Sequence, residues 1–471
     1  MHKFHVVFNE QNYINDFNET VRSFYPYATI DNEGEAILLE QSYAENILDS
    51  TVKIFEKTYN RRDFCKFSDE ILLKRYKKRY LKLLLYKALS TELGVCLPWG
   101  SLTGIRPTKL AYDLVEGGEI DVKRAFIEDF YVTEDRASLV CDIMSTQKGV
   151  YSTDENDVDL YINIPFCVSR CSYCSFVSAL TKDKEKLLLP YARALHKEVK
   201  SAIEVINNRD LNLRSVYCGG GTPTSFSVEL LKEIFEGLSI PKVEFTVECG
   251  RPDTVSREKF DYLKSIGVNR ISINPQTFNQ AVLDAIGRQH KVEEIYDAYH
   301  LAREYPFKIN MDLIADLPND TPQSFLYSVN ECIKLNPDNV TIHALSIKHS
   351  SKMQEDSYDN RLNASCELIS SVDEARRMLY TAGYLPYYMY RQKNTSGNLE
   401  NIGYAKNGAQ CTYNVDIMEE TTSIVSCGAG GISKRVFHHS GRIERQNVVK
   451  NIEQYLREID EIIAKKVVFF E

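Results

Sequence analysis

Six strand–helix units in succession predict an α/β fold, an open or closed β/α barrel, and three observations carry that prediction. From Asp159 onward, short β-branched or aromatic runs alternate with longer amphipathic segments. No two of these runs are joined by a hairpin signal, so the strands must lie parallel with crossover connections. The polar and glycine-rich features fall at the ends of the runs, where such barrels carry their reactive groups.

Ahead of the barrel, residues 1–150 read as a separate α+β accessory domain, since 471 residues are too many for one small core. Within it, residues 69–93 form a strong helix pattern with Lys and Arg along one side, read as a solvated helix face. The following P-W-G-S-L-T-G-I-R-P-T-K holds Gly100, Gly104 and Pro107, which force a loop carrying Trp99, Arg106 and Lys109. A packed loop between domains is the expectation there, and an anion site the other reading.

The barrel proper spans residues 151–383. Its strand-like runs are Leu160–Ile164, Ser215–Cys218, Glu244–Glu248, Arg270–Ile273, Ile309–Ile314 and Asn339–His343. Helical patterns follow them near 184–207, 227–238, 256–266, 291–304, 321–334 and 367–382. Residues 384–471 form a cap: a stretch rich in Tyr, Asn and Gly, then a helical pattern over 448–466, expected to cover the barrel mouth.

Composition narrows the function classes. With 57 basic against 66 acidic side chains and a formal charge of -9, no global attraction to nucleic acid or anionic membrane is expected. The start, M-H-K-F-H-V-V-F-N-E, lacks the layout of a secretion signal, and no apolar run nears the roughly 18 residues of a membrane span. The expectation is a soluble, cytoplasmic protein. Twelve cysteines in such a chain are not a disulfide framework, because that compartment keeps thiols reduced. Nine of them, such as Cys65, Cys96, Cys141, Cys332 and Cys366, stand apart and read as small buried side chains.

Cys167, Cys171 and Cys174 differ, standing in Y-I-N-I-P-F-C-V-S-R-C-S-Y-C-S-F. Thiolates this close repel one another and are tolerated because a cation or cluster binds them. Zinc would need a fourth ligand that no nearby His supplies, whereas a [4Fe–4S] cube held by three cysteines keeps one iron open for an external chelating ligand.

The phrase from Tyr161 to Cys174 resembles the signature of radical S-adenosylmethionine (SAM) enzymes, and within them the oxygen-independent coproporphyrinogen III oxidase family, with its Y-I-H-I-P-F-C, its C-x-Y/F-C and its G-G-G-T-P-T after the next strand. Later stretches, V-E-C-G-R-P-D-T, R-I-S-I-N-P-Q-T-F, D-L-I-A-D-L-P-N-D-T, H-A-L and G-A-G-G-I-S, resemble further family blocks, so the similarity covers about Asp159 to Arg435. The extra N-terminal domain most resembles the coproporphyrinogen dehydrogenase subgroup of anaerobic and facultative Gram-positive bacteria. The resemblance implies a partial (β/α)6 radical-SAM barrel with [4Fe–4S] and SAM as cofactors. It implies that Cys167, Cys171 and Cys174 hold the cluster, whose open iron binds the SAM amino and carboxylate groups. An electron from the cluster then splits SAM into methionine and a deoxyadenosyl radical.

By the same resemblance, Tyr161, Tyr173, Gly220, Glu248 and Ile432 contact that SAM. Gly221, Thr222, Gln276, Arg288, Asp312 and Ala344 align with a second SAM site present in some members. Three departures stand out: Phe176 where true oxidases commonly carry another cysteine, Asn274 for a glycine in R-x-S-x-G-x-Q, and Asp316 for a glycine in D-x-I-x-G-L-P. The haem chaperones of the family also carry Phe at the first of these positions.

The implied activity is decarboxylation of two coproporphyrinogen III propionates to vinyls, giving protoporphyrinogen IX without oxygen. Its partners would be a tetrapyrrole and a low-potential electron donor such as flavodoxin or ferredoxin, with no nucleic acid and no membrane. Arg251, Arg391 and Lys348 are candidate partners for the substrate carboxylates. A haem chaperone and another radical tetrapyrrole reaction, such as anaerobic haem ring opening, are the alternatives. His343, His349, His438 and His439 read as structural rather than as haem ligands.

Overall fold

A computed structural model describes residues 3–8, 13–25, 29–31, 33–66, 70–103, 106–176, 178–346, 366–392 and 399–471. The chain divides into two compact units, with the boundary between Asp142 and Ile143.

In the first unit, strands Lys3–Phe8, Thr29–Ile30, Glu35–Ala44, Ile47–Ile54 and Lys57–Phe64 form a five-stranded mixed sheet. Alternating side chains of this sheet, Phe4, Val6, Ile37 and Val52, pack against Phe17 and Val21 of helix Ile14–Phe24 and Leu81, Leu85 and Leu89 of helix Glu70–Leu93. That helix therefore has a buried stripe beneath its basic face. In the loop after it, Trp99 is buried, and Gly100 (φ +52°) lies where a Cβ would come 2.1 Å from the Phe130 carbonyl oxygen. Gly104 of that loop lies outside the described residues.

The second unit is built on one eleven-stranded sheet. Six strands form its centre: β1 (Asp157–Ile164), β2 (Asn212–Gly220), β3 (Glu244–Glu248), β4 (Arg270–Ser272), β5 (Lys308–Ala315) and β6 (Asn339–Ala344). Consecutive strands are hydrogen-bonded neighbours and all are parallel. The helices between them are amphipathic: α1 (Glu185–Asn208) buries Tyr191, Leu195, Val199 and Ile203. Three of these helices start where a hydroxyl satisfies an orphan amide, Ser227 for Leu230, Ser256 for Lys259 and Thr321 for Ser324. This is the mixed α/β architecture that the resemblance implied, a large parallel sheet with an N-terminal α+β sheet.

Five more strands come from residues 385–447, and they flank both edges of the central six. β7 (Leu385–Arg391) and β8 (Glu400–Ala405) continue antiparallel beyond β6. β9 (Ser423–Cys427) pairs parallel with β1 at the other edge, and β10 (Ile432–Phe437) and β11 (Arg442–Asn447) extend it antiparallel. A seventh parallel strand thus comes from outside the six strand–helix units. Between the two sets lies α2 (Thr412–Glu419), and the chain ends in α3 (Ile452–Arg457) and α4 (Ile459–Phe469), so the terminal helical pattern is two helices.

Register is what positions the site. Parallel pairing sets Ile164 beside Gly220, Glu248 beside Ser272, Ser272 beside Asn310, and Asp312 beside Thr341. The C-terminal ends of the central strands therefore face one space.

Candidate cluster and cofactor site

The cysteine loop leaves β1 through Pro165 and is tied at its neck, where Phe166–Cys167 pairs with Ala179–Leu180. Buried Phe166 anchors it, edge-on to Tyr191 at 5.2 Å and tilted against Phe226 at 5.3 Å. At its tip the Ser172 amide donates to the Ile286 carbonyl (3.0 Å) and the Cys174 amide to the Cys171 carbonyl (3.2 Å). The eleven cysteines with described side chains are free thiols; Cys167 is buried, and Cys171 and Cys174 are half-buried. Burial pushes the Cys167 thiol up, against hydrogen bonds from Thr222 and Ser178, and burial likewise raises Cys174. Among the described residues no three His, Cys, Asp or Glu are drawn together around a single ion. Three thiols on the corners of a larger cluster do not require such convergence.

The glycine run after β2 is pressed against this loop. A Cβ on Gly220, which has φ +107°, would stand 1.8 Å from Asn163 Oδ1, and one on Gly221 would stand 2.4 Å from the Phe166 carbonyl oxygen. The glycines are thus required by chain-to-chain approach within the protein itself. Gly221 and Thr222 donate their amides to the Ile164 and Phe166 carbonyls at 2.9 and 2.7 Å.

A cavity of about 380 Å³ opens over these elements. Its wall includes Cys167, Cys171, Tyr173 and Cys174 on the loop, Gly220, Gly221 and Thr222 after β2, and Glu248, Gln276, Arg288, Asp312 and Ala344 beyond. Twelve of the fourteen residues singled out from sequence therefore meet in one space. Tyr161 and Ile432 do not line it. The Tyr161 ring stacks on Tyr217 (6.1 Å) and Tyr413 (5.9 Å), and Ile432 is 49% exposed at the start of β10.

Charge in the cavity is arranged in pairs. Glu248 Oε1 accepts from the Tyr217 hydroxyl at 2.7 Å; burial, with Asp312 adding to it, raises this carboxyl to about 7. Asp312 is half-buried, yet the nearby His343 and a hydrogen bond from Asn310 (2.8 Å) hold it below the ordinary carboxylate range. His343 stands 3.8 Å from Asp312 and shares a 3.2 Å hydrogen bond with the Tyr390 hydroxyl. The buried Arg288 guanidinium donates to the Asn274 (2.6 Å) and Gly250 (3.3 Å) carbonyls and approaches the Tyr173 hydroxyl at 3.5 Å. Arg251 is clamped by Asp253 at 2.9 and 2.7 Å and donates to Ser169 of the cysteine loop. Arg391 is buried off the cavity wall, while Lys348 and His349 lie outside the described residues. His438 and His439 form a short turn after β10, away from the cavity.

Among the described residues, the buried wall atoms Ser272 Oγ, Asn274 Oδ1, Gln276 Oε1 and Arg288 Nε have no protein partner. Burying such groups unpaired costs about 1–3 kcal/mol each, so the site fits a polar ligand carrying both donors and acceptors. SAM, with amino, carboxylate and ribose groups, is of that kind. Gln276 also holds a left-handed backbone (φ +67°), its amide donating to the Asp312 carbonyl at 2.9 Å. Sequence reading missed Ser272, Asn310, Thr341, Tyr388 and Tyr390 on this wall. They share no local signal: Ser272 ends its strand, whereas Asn310, Thr341 and Tyr388 are polar or hydroxyl-bearing residues inside theirs.

The model of the radical SAM superfamily matches residues 161–332. The chain is 35% identical over 397 residues to the oxygen-independent coproporphyrinogen-III oxidase-like protein HemZ of Bacillus subtilis, covering 81% of this chain and 79% of that protein. It is a radical SAM protein of the coproporphyrinogen III oxidase-like family. Within the superfamily it is also 31% identical to the heme chaperone HemW of Haemophilus influenzae, over 64% of this chain and 76% of that one. Among solved structures it is similar to coproporphyrinogen III oxidase HemN of Escherichia coli, at 22% identity and a TM-score of 0.49, over 70% of this chain and 73% of that chain. A radical SAM protein works with a [4Fe–4S] cluster and SAM, the groups for which the three thiols and the unpartnered polar wall are suited. No described helix is long and apolar enough to cross a membrane.

Proposed function

We infer that the chain catalyses oxygen-independent decarboxylation of coproporphyrinogen III propionates to vinyl groups, giving protoporphyrinogen IX. The observation that carries this reading is the continuous cavity from the cysteine loop to His343 and Tyr390, in a chain spanning most of HemZ. Cys167, Cys171 and Cys174 would hold the cluster; with SAM bound, the pair supplies a carbon-centred radical able to take hydrogen from an unactivated carbon. Glu248 and Gln276 would orient SAM. Gly220 and Gly221 bring strand β2 against the loop, and the walls keep water from the reacting atoms. Arg288 places positive charge on the wall for a substrate carboxylate, whereas Arg251 is already paired with Asp253. Electrons would come from a low-potential donor such as flavodoxin or ferredoxin.

A specific observation supports a second reading, delivery of haem without turnover: Phe176, beside Cys174 on the cavity wall, is 68% exposed, and the chain resembles a heme chaperone. Anaerobic incubation of reconstituted protein with SAM, reductant and coproporphyrinogen III separates the readings. Mono- and divinyl products are expected. Stable haem binding with no product would establish the chaperone instead, and an opened or methylated tetrapyrrole would establish a different radical reaction.

A further inference from the structure

Thr222 sits where sequence alignment suggests a contact to a second SAM, yet its side chain turns the other way. The hydroxyl donates to Cys167 Sγ at 3.6 Å, and the residue is 4% exposed. Its amide is fixed on the Phe166 carbonyl at 2.7 Å, so the backbone on both sides of the O–H···S contact is held by the same pair of residues. That approach is available only because position 221 lacks a Cβ, which would stand 2.4 Å from the Phe166 oxygen. The glycine run therefore delivers one hydroxyl to one sulfur. Ser178, across the neck of the loop, lies near enough to the same sulfur to lower the Cys167 thiol alongside Thr222.

We propose that Thr222 is a positioning residue for the cluster: its hydroxyl donates to the Cys167 thiolate and raises the reduction potential of the [4Fe–4S] centre. Adding one electron from an external reductant makes the cluster more negative by one unit and puts part of that charge on its sulfurs. A fixed O–H dipole aimed at Cys167 stabilises the reduced form more than the oxidised one. The same contact also accounts for the depth of Thr222 in the wall, which leaves Gly221 rather than the hydroxyl facing a ligand. This inference depends on the cluster and is independent of which tetrapyrrole is bound.

The test is an EPR-monitored redox titration of anaerobically reconstituted protein, before SAM is added, with iron and sulfide counted per chain. Thr222→Val keeps the shape and removes the donor; Thr222→Ala removes it without crowding; Thr222→Ser keeps it. The valine and alanine variants should titrate at lower potential with full iron content, the serine variant at the wild-type potential. Ser178→Ala should lower the potential further when combined with Thr222→Ala. Unchanged potential in the hydroxyl-free variants would overturn the proposal. An equal shift in the serine variant would also overturn it by assigning the effect to the methyl group. Loss of the cluster in valine and alanine but not serine would overturn it in favour of a role in assembly. Because no substrate is present, failure here is distinguishable from failure of the proposed decarboxylation.

Discussion

Glu248 shows how one side chain is set against itself for the sake of the site. Half-buried at the end of β3, its carboxyl is raised to about 7, first by desolvation and then by Asp312, against the Tyr217 hydrogen bond. In the unfolded chain a Glu titrates near about 4.3. Between those values the folded protein binds the extra proton, so stability attributable to this group falls as pH rises through the window. The shift corresponds to on the order of 3 kcal/mol. The cluster-free, SAM-free Glu248→Gln variant is expected to unfold at higher urea than wild type at pH 8 and at similar urea at pH 5, and after reconstitution the variant should bind SAM more weakly at both. A variant that kept the wild-type slope across that window would show that the slope arises elsewhere. The cysteines offer a contrast at the same scale. Cys171→Ala should lose nearly all iron and sulfide on reconstitution, whereas Cys249→Ala, buried next to Glu248 but off the cavity wall, should keep both. The cysteine motif was legible because its ligands share one loop. Ser272, Asn310 and Thr341 were not, because single polar residues in apolar runs acquire meaning only when β4, β5 and β6 are aligned side by side.

At the scale of elements, backbone approach decides which glycines matter. Gly221→Ala forces a Cβ onto the Phe166 backbone, and Gly220→Ala onto Asn163 at a φ of +107°. Each should cost at least about 3 kcal/mol and lower cluster content. Gly237, also left-handed (φ +74°) but with nothing within 4 Å, should cost only about 1 kcal/mol as alanine and leave iron binding intact. Urea midpoints and iron content measured on the three variants check this, and equal losses at all three would refute it. The same logic explains Asp316, which stands where the family carries glycine and retains a left-handed φ of +68°. Helices were readable from their period because each buries one stripe, as α1 does. Strand β9 was not. Its five residues, S-I-V-S-C, mix small polar and apolar side chains, and its partner β1 lies more than 250 residues earlier in the chain. No local signal announces a parallel pairing across that separation.

At the scale of the second unit, the end of the chain is tied to its beginning by a charge pair with almost no water around it. Lys466 of α4 (2% exposed) contacts Glu198 of α1 (0% exposed) and donates to the Ser426 carbonyl at 2.6 Å. The other Glu198 oxygen accepts from the Tyr455 hydroxyl (2.5 Å) and the Gly428 amide (2.7 Å). Tyr191, two turns earlier on the same face of α1, links the Ala429 amide (3.0 Å) to the Asn163 carbonyl (2.8 Å). The last helix, the first crossover helix, the G-A-G-G turn and the strand leading into the cysteine loop are therefore one polar network. Removing one partner of such a pair strands the other charge in an apolar interior, which costs about 3–5 kcal/mol, whereas replacing both by apolar groups is often close to neutral. Lys466→Met alone should thus lower stability by that amount, and Glu198→Leu combined with Lys466→Met should recover much of it, a coupling that urea unfolding of the two single variants and the double variant reads directly. Additive losses would mean that the two residues act separately. Because Asn163 also packs on Gly220, the single Lys466→Met variant is expected to retain less iron than the double variant at equal protein concentration.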